Sequence, residues 1–137
     1  MRKILCVLLV VAAPAFGQAL NPAVNSDNIE ENICVPGWTK TVRPPVSYTN
    51  KIKKQLLQKE GLTDASAYEL DHVVPLALGG HPSSPKNLRL QPWDGPDGAH
   101  AKDVMEARMH RLVCSGLVTL KEARHCMATR WQDCLEK

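Results

Sequence analysis

The sequence predicts a small α+β domain: two short antiparallel strands joined by a wide loop, a helix after the second strand, additional packing helices, and disulfide staples. Three observations predict it. Leu70, Val73, Val74 and Leu76 form one apolar strand-like run, and Asn87 to Trp93 forms a second, with a loop rich in Gly, Pro and Ser between them. Pro92, Gly95, Pro96 and Gly98 then stop the strand, and from Ala99 the composition turns helical, with Val104, Met105, Ala107, Met109, Leu112 and Val113. Four cysteines follow an export-type N-terminus, an even number that suits an oxidising compartment.

Taken in order, the 137-residue chain opens on a signal peptide expected to span residues 1–19. Arg2 and Lys3 are a basic start, Ile4 to Ala13 an apolar core too short for a membrane span, and the small residues after it suit a signal peptidase acting after Gly17 or Ala19. Cys6 lies upstream of either cut. Residues 20–33 read as a polar, loosely held arm, and residues 34–137 as the domain proper, with its strand, loop, strand and helix core over about 68–114. Arg43 to Asn50 reads as extended, because a residue before proline avoids the helical region. Thr49 or Asn50 is then expected to cap a helix with Ile52, Leu56 and Leu57 on its inner face, which Gly61 ends. Thr63 to Ser66 can make a single turn. Ser115-Gly116 breaks the chain, and Thr119 caps a last helix expected over about 119–135, with Ala123, Met127 and Trp131 on one side.

Cys34, Cys114, Cys126 and Cys134 allow three pairings. Cys34 with Cys114 is expected, tying the N-terminal segment to the end of the helix that begins at Ala99. Cys126 with Cys134 then follows by subtraction, but a straight helix would hold them about 12 Å apart, so the helix must bend near Trp131 or the pairing is wrong. A structural zinc site built from His110, Cys114, Cys126 and His125 or Cys134 is disfavoured, since these spacings form no recognised ligand pairs.

Basic residues number 17 against 14 acidic, and losing Arg2 and Lys3 with the leader leaves 15 against 14. A domain so close to neutral needs a local basic patch to hold nucleic acid. Lys40, Arg43, Lys51, Lys53, Lys54 and Lys59 occur with no acid among them, either as that patch or as a solvated helix face.

The chemistry concentrates between Glu69 and Asp103. Asp71 and His72 are adjacent within an apolar strand-like run, so the pleat sends their side chains to opposite faces. One can face a metal while the other faces a substrate. Hydrolysing a phosphodiester needs an activated water and charge stabilisation on the phosphoryl and leaving oxygens; a neutral His supplies the first and a hard divalent cation the second. Lys86 and Arg89 beside Asn87, Arg43, and Lys102 on the helix are candidate phosphate contacts. His81 and His125 read as surface histidines, and His110 as a hydrogen-bonding residue across the helix face.

The pattern Asp71-His72-x-x-Pro75-Leu76-x-x-Gly79-Gly80, then Asn87-Leu88, then His100-x-Lys102-Asp103 at a helix start, resembles the HNH endonuclease family, whose core is a ββα-metal finger. That resemblance, strongest over about residues 34–114, implies His72 as general base, Asn87 as the residue that orients His72 or its loop, and Asp71 with His100 as metal ligands. The chain lacks the Cys-x-x-Cys knuckle that usually accompanies the third element, so Asp103 or Glu106 is an alternative to His100. The implied cofactor is one divalent metal, with magnesium, manganese, nickel and zinc all open.

The resulting expectation is a periplasmic or secreted, monomeric, metal-dependent endonuclease that hydrolyses DNA with weak sequence preference. It has no membrane association after leader removal, and an inhibitor protein is an allowed partner. Two other readings stand beside it: a nucleic-acid-binding module of the same fold without catalysis, and an envelope protein with a protein partner in which the Asp-His pair is a structural network.

Overall fold

The computed structural model describes residues 17–136, so the basic start and apolar stretch of the expected leader lie outside the described residues. Helices Trp38–Val42 (α1) and Val46–Glu60 (α2) precede strand Tyr68–His72 (β1), which pairs antiparallel with Leu88–Pro92 (β2). Helices Ala99–Cys114 (α3) and Leu120–Thr129 (α4) follow, giving a mixed helix and strand fold around one two-stranded sheet.

The hairpin register sets Asp71 opposite Arg89 and His72 opposite Leu88. Its wide loop is more ordered than a Gly, Pro and Ser composition suggests, because Leu76–Leu78 and Pro85–Asn87 each form a 3-10 turn and Leu76 and Leu78 are buried. Gly80 has a steric reason: a Cβ there would lie 1.8 Å from the Val74 carbonyl oxygen.

Helix α2 starts three residues earlier than Thr49, directly after Pro45. Proline fixes φ near the helical value and has no N–H to leave unpaired, so it can open a helix without a side-chain cap. Thr49 sits inside the first turn and its hydroxyl donates to the Val46 carbonyl at 3.0 Å. Gly61 ends the helix in the left-handed conformation, φ 67°, as its position suggested. The helix packs on both strands, with Leu57 buried and Lys51, Lys54 and Lys59 exposed.

Along α3, Ala99, Lys102, Met109 and Val113 are buried, an inward stripe at helical spacing that includes one charged residue. Helix α4 begins with a full capping box between Thr119 and Glu122 and buries Leu120, Ala123 and Met127. It stops at Thr129, not near residue 135. Arg130 leaves the helical region at φ −144°, ψ 57°, and Trp131–Asp133 continue as a 3-10 turn. That break brings Cys126 and Cys134 to a Cα separation of 5.7 Å, where they form a disulfide. The second disulfide joins Cys34 to Cys114, Cα atoms 5.6 Å apart and 80 residues apart in sequence. Beside it, the His110 ring meets the Ile33 carbonyl through Nε2 at 2.7 Å.

The segment expected as a loose arm is instead part of the core. Val24 and Ile33 are buried with Val74, Leu78, Met109, Val113 and the α4 residues. Its backbone bonds the hairpin loop through Asn21 N–H to Gly79 O at 2.9 Å, and Ala19, the last residue of the expected leader, is buried and accepts from His81 N–H at 2.8 Å, a bond that a cut after Gly17 keeps and one after Ala19 removes. Arg124 of α4 clamps the same place, donating from Nε to Leu78 O at 2.7 Å and from Nη2 to Val24 O at 3.1 Å. No helix among the described residues is long and apolar enough to cross a membrane.

Candidate active site

Where β1 ends, three acceptors from β1 and α3 converge on one ammonium group. Lys102 is fully buried, and its Nζ donates to Asp71 Oδ2 at 2.7 Å, Glu106 Oε1 at 2.7 Å and the His72 carbonyl at 2.9 Å. Those three bonds use all three N–H donors of an ammonium. A buried cation is tolerated only when paired and hydrogen-bonded, and here two carboxylates and a carbonyl meet both conditions. The expected phosphate-gripping role of Lys102 is therefore corrected: a residue with no exposed surface fixes carboxylates inside the protein. Asp71 is held from its other oxygen as well, since Oδ1 accepts the His72 N–H at 2.7 Å.

Asn87 holds the loop. Its Oδ1 accepts from Val74 N–H at 2.7 Å, and its Nδ2 donates to Val74 O and His81 O, both at 3.0 Å. It is completely buried. His81, expected at the surface, is half-buried, and its Nδ1 accepts from the N–H groups of Ser83 and Ser84. The loop carbonyl at Pro82 is thereby placed 2.8 Å from His72 Nε2. A carbonyl only accepts, so Nε2 carries the proton and Nδ1 of the neutral ring keeps its lone pair. Burial is the largest influence on this imidazole and pulls its pKa below the usual value; the positive charges of Arg43 and Lys102 add to that, against the Pro82 bond and the Asp71 charge.

A cleft of about 170 Å³ opens over these groups, lined by Arg43, Glu69, Asp71, His72, Asp103 and Glu106 among others. Its carboxyls are crowded. Burial first, then the charges of Asp71, Asp103 and Glu106, push Glu69 up to about 7, and one of its oxygens, Oε2, is buried without a hydrogen-bond partner. Asp103 is raised by burial and by Asp71. Glu106 is also raised, because burial outweighs the attraction of Lys102. Closely spaced carboxyls that resist ionisation are the donors a hard cation stabilises. Among the described residues no three His, Cys, Asp or Glu side chains are already drawn together as a ligand cage. The donor chemistry nevertheless fits a partly hydrated hard ion, which is commonly held by one or two carboxylates with water and phosphate completing its shell, and the orphaned Glu69 oxygen suits that use.

His100 stands elsewhere. It lies in the first turn of α3, where the sequence placed it, but its side chain is 66% exposed, 3.9 Å from Asp94, with its ring centroid 5.3 Å from that of Trp93. Asp103 and Glu106, one turn and more further on, reach the cleft that His100 does not. Lys86 is exposed on the 3-10 turn of the loop. Arg89 is half-buried opposite Asp71, with a buried Nε that has no hydrogen-bond partner. Arg43 lines the cleft beside His72. Glu69 was not singled out from the sequence, although its position two residues before Asp71 on one strand is the period that puts two side chains on one face.

A second hollow of about 260 Å³ lies toward α2, where Arg43 and Lys53 face His72 and Trp93. His72 thus borders both the carboxylate cleft and this more basic groove. Comparison with protein-family models, with curated proteins and with solved structures finds no match for this chain.

Proposed function

We propose that this chain is an exported, metal-dependent endonuclease that hydrolyses DNA phosphodiester bonds with weak sequence preference, using an HNH-like ββα-metal finger made of β1, β2 and α3. The observation that carries the proposal is His72: a buried imidazole with Nε2 tied to the Pro82 carbonyl, its second nitrogen left as a base, and a carboxylate cleft beside it.

In this reading His72 Nδ1 takes the proton from the attacking water, and the Pro82 carbonyl keeps the ring in the tautomer and orientation that this requires. Asn87 acts through the loop, holding the segment from which Pro82 reaches His72. Asp71 and Asp103, with Glu69 and Glu106 alongside, would hold a divalent ion, and the oxygen-rich set favours magnesium or manganese over nickel and zinc. Such an ion, when bound, supplies charge stabilisation to the phosphate and leaving oxygens. Arg43 is the phosphate contact nearest to His72. Weak sequence preference follows because contacts to phosphates give affinity without reading bases. Both disulfides and the leader-like N-terminus support a periplasmic or secreted location.

Lys102 favours a second reading, since it already satisfies one oxygen each of Asp71 and Glu106: a nucleic-acid-binding module with the same fold and no catalysis. Plasmid nicking by the oxidised protein, with EDTA or each candidate metal and beside His72→Ala, separates the two. Metal-dependent nicking that the substitution removes supports the nuclease. Binding of DNA without nicking under any metal, by folded protein, supports the module.

A further inference from the structure

The chain has three tryptophans, and two of them, Trp38 and Trp131, pack in or against the hydrophobic core. Trp93 does not. It lies at the end of β2, half-buried, with one flank against the His100 ring at 5.3 Å and 32°, and it borders the groove toward α2. An indole kept out of the core and braced from one side is a stacking surface. The same groove is lined by Arg43 and Lys53, with Thr49, Asn50 and His72.

We propose that this groove binds a single unpaired nucleic-acid strand, one base stacking on Trp93 and the adjoining phosphates meeting Arg43 and Lys53, so that the substrate is single-stranded or locally unpaired DNA. The proposal rests on the nuclease reading and deepens it. Aromatic rings beside a cationic track are the means by which proteins hold single strands, because every base offers a face for stacking whereas a paired base is enclosed by its neighbours. The size agrees: about 260 Å³ is near the small end of ligand sites, room for about one nucleotide unit. The position of the charges agrees as well. Arg43 and Lys53 are the cationic side chains of the groove lining, so they are where the backbone phosphates meet it. A phosphate at Arg43 then lies next to His72, where the base is needed.

The test uses the oxidised full-length protein carrying His72→Ala, with fluorescence anisotropy of a labelled single strand, the same strand annealed to its complement, and the same strand with abasic sugars replacing its central bases. The expected result is single-strand binding about tenfold or more tighter than duplex binding, with a comparable loss for the abasic strand and for the added Trp93→Ala change, and little loss for Trp93→Phe. Equal or tighter duplex binding, or indifference to the abasic sites, overturns the single-strand proposal; if plasmid nicking by the unsubstituted protein persists, the nuclease reading survives. Absence of binding to every form at low salt also overturns the single-strand proposal, and absence of plasmid nicking by the unsubstituted protein then overturns the nuclease reading. The abasic strand keeps the question decidable even if Trp93→Ala fails to fold.

Discussion

At Lys102 a single methylene chain carries a charge to the centre of the site and leaves it there, surrounded by Asp71, Glu106 and the His72 carbonyl. Replacing it with methionine keeps the volume and removes the charge, stranding two carboxylates that are only 12% and 22% exposed. Breaking a buried pair in this way typically costs about 3 to 5 kcal/mol, and urea denaturation of Lys102→Met should show a loss of that size near neutral pH. The loss should shrink in acid as the carboxyls protonate. Glu69 gives a second dependence on pH. Its pKa is near 4.5 in the unfolded chain and about 7 in the folded one, so the folded state binds more protons between those values. The stability this provides is complete below pH 4.5 and is lost as pH rises through 7; in Glu69→Gln the corresponding fall in Tm should disappear. His72 runs the other way. Its folded pKa is depressed, so the unfolded chain takes up the proton first and stability falls as pH drops below the usual histidine value. In the nuclease reading the acid limb of the pH and activity profile lies below about 6.5 for the same reason. Among the proposed ligands, nicking should survive His100→Ala and fail in Asp103→Ala, because Asp103 borders the cleft and His100 does not.

The elements differ in how far the sequence disclosed them. The Gly61 stop and the Thr119 cap are local signals and hold where their residues stand, whereas the first strand lies earlier than its apolar run, ending at His72 and leaving Val73, Val74 and Leu76 to the loop. The start of α2 is hidden in the sequence because a proline excludes the helical region for the residue before it and yet permits a helix to start directly after it, as Pro45 does. The end of α4 was missed because Trp131 continues the apolar spacing after the helix has stopped: a side chain can stay on the buried side through a 3-10 turn. That same break makes the second disulfide possible. The two bridges should contribute unequally. Restricting an 80-residue separation lowers unfolded-chain entropy by about 4.5 kcal/mol, against about 2.5 kcal/mol for a separation of 8, so Cys34→Ser with Cys114→Ser should lower stability more than Cys126→Ser with Cys134→Ser. Within the site, Asp71 and His72 stand out by residue type and adjacency and Asn87 only through the family resemblance; the first two line the carboxylate cleft and Asn87 is buried in the loop, bonded to Val74 and His81. Glu69 and the true place of Lys102 were not legible, because only the packing of α3 on β1 decides whether a lysine meets solvent or carboxylates.

For the molecule as a whole, a composition near neutrality conceals a local clustering of charge. His72 borders both the carboxylate cleft and the groove holding Lys53, and Arg43 and Glu69 line both. With only the two cations Arg43 and Lys53 bordering the groove, binding of a single strand should depend weakly on salt, its logarithm falling with a slope of about −1.4 against log salt concentration in a titration series. A steep slope would mean that the exposed lysines of α2 take part. The arrangement of the chain also sets a sequence of events during synthesis. The loop that presents Pro82 to His72 is braced at its base by the Ala19 carbonyl near the N-terminal end and by Arg124 far downstream. A ribosome that has made both strands and α3 has still not made the guanidinium that locks Leu78 to Val24. On the proposed nuclease reading, the nascent chain therefore carries every proposed catalytic residue before it carries the Arg124 clamp that braces the loop presenting Pro82, so the order of the residues makes the site one of the last things to be completed.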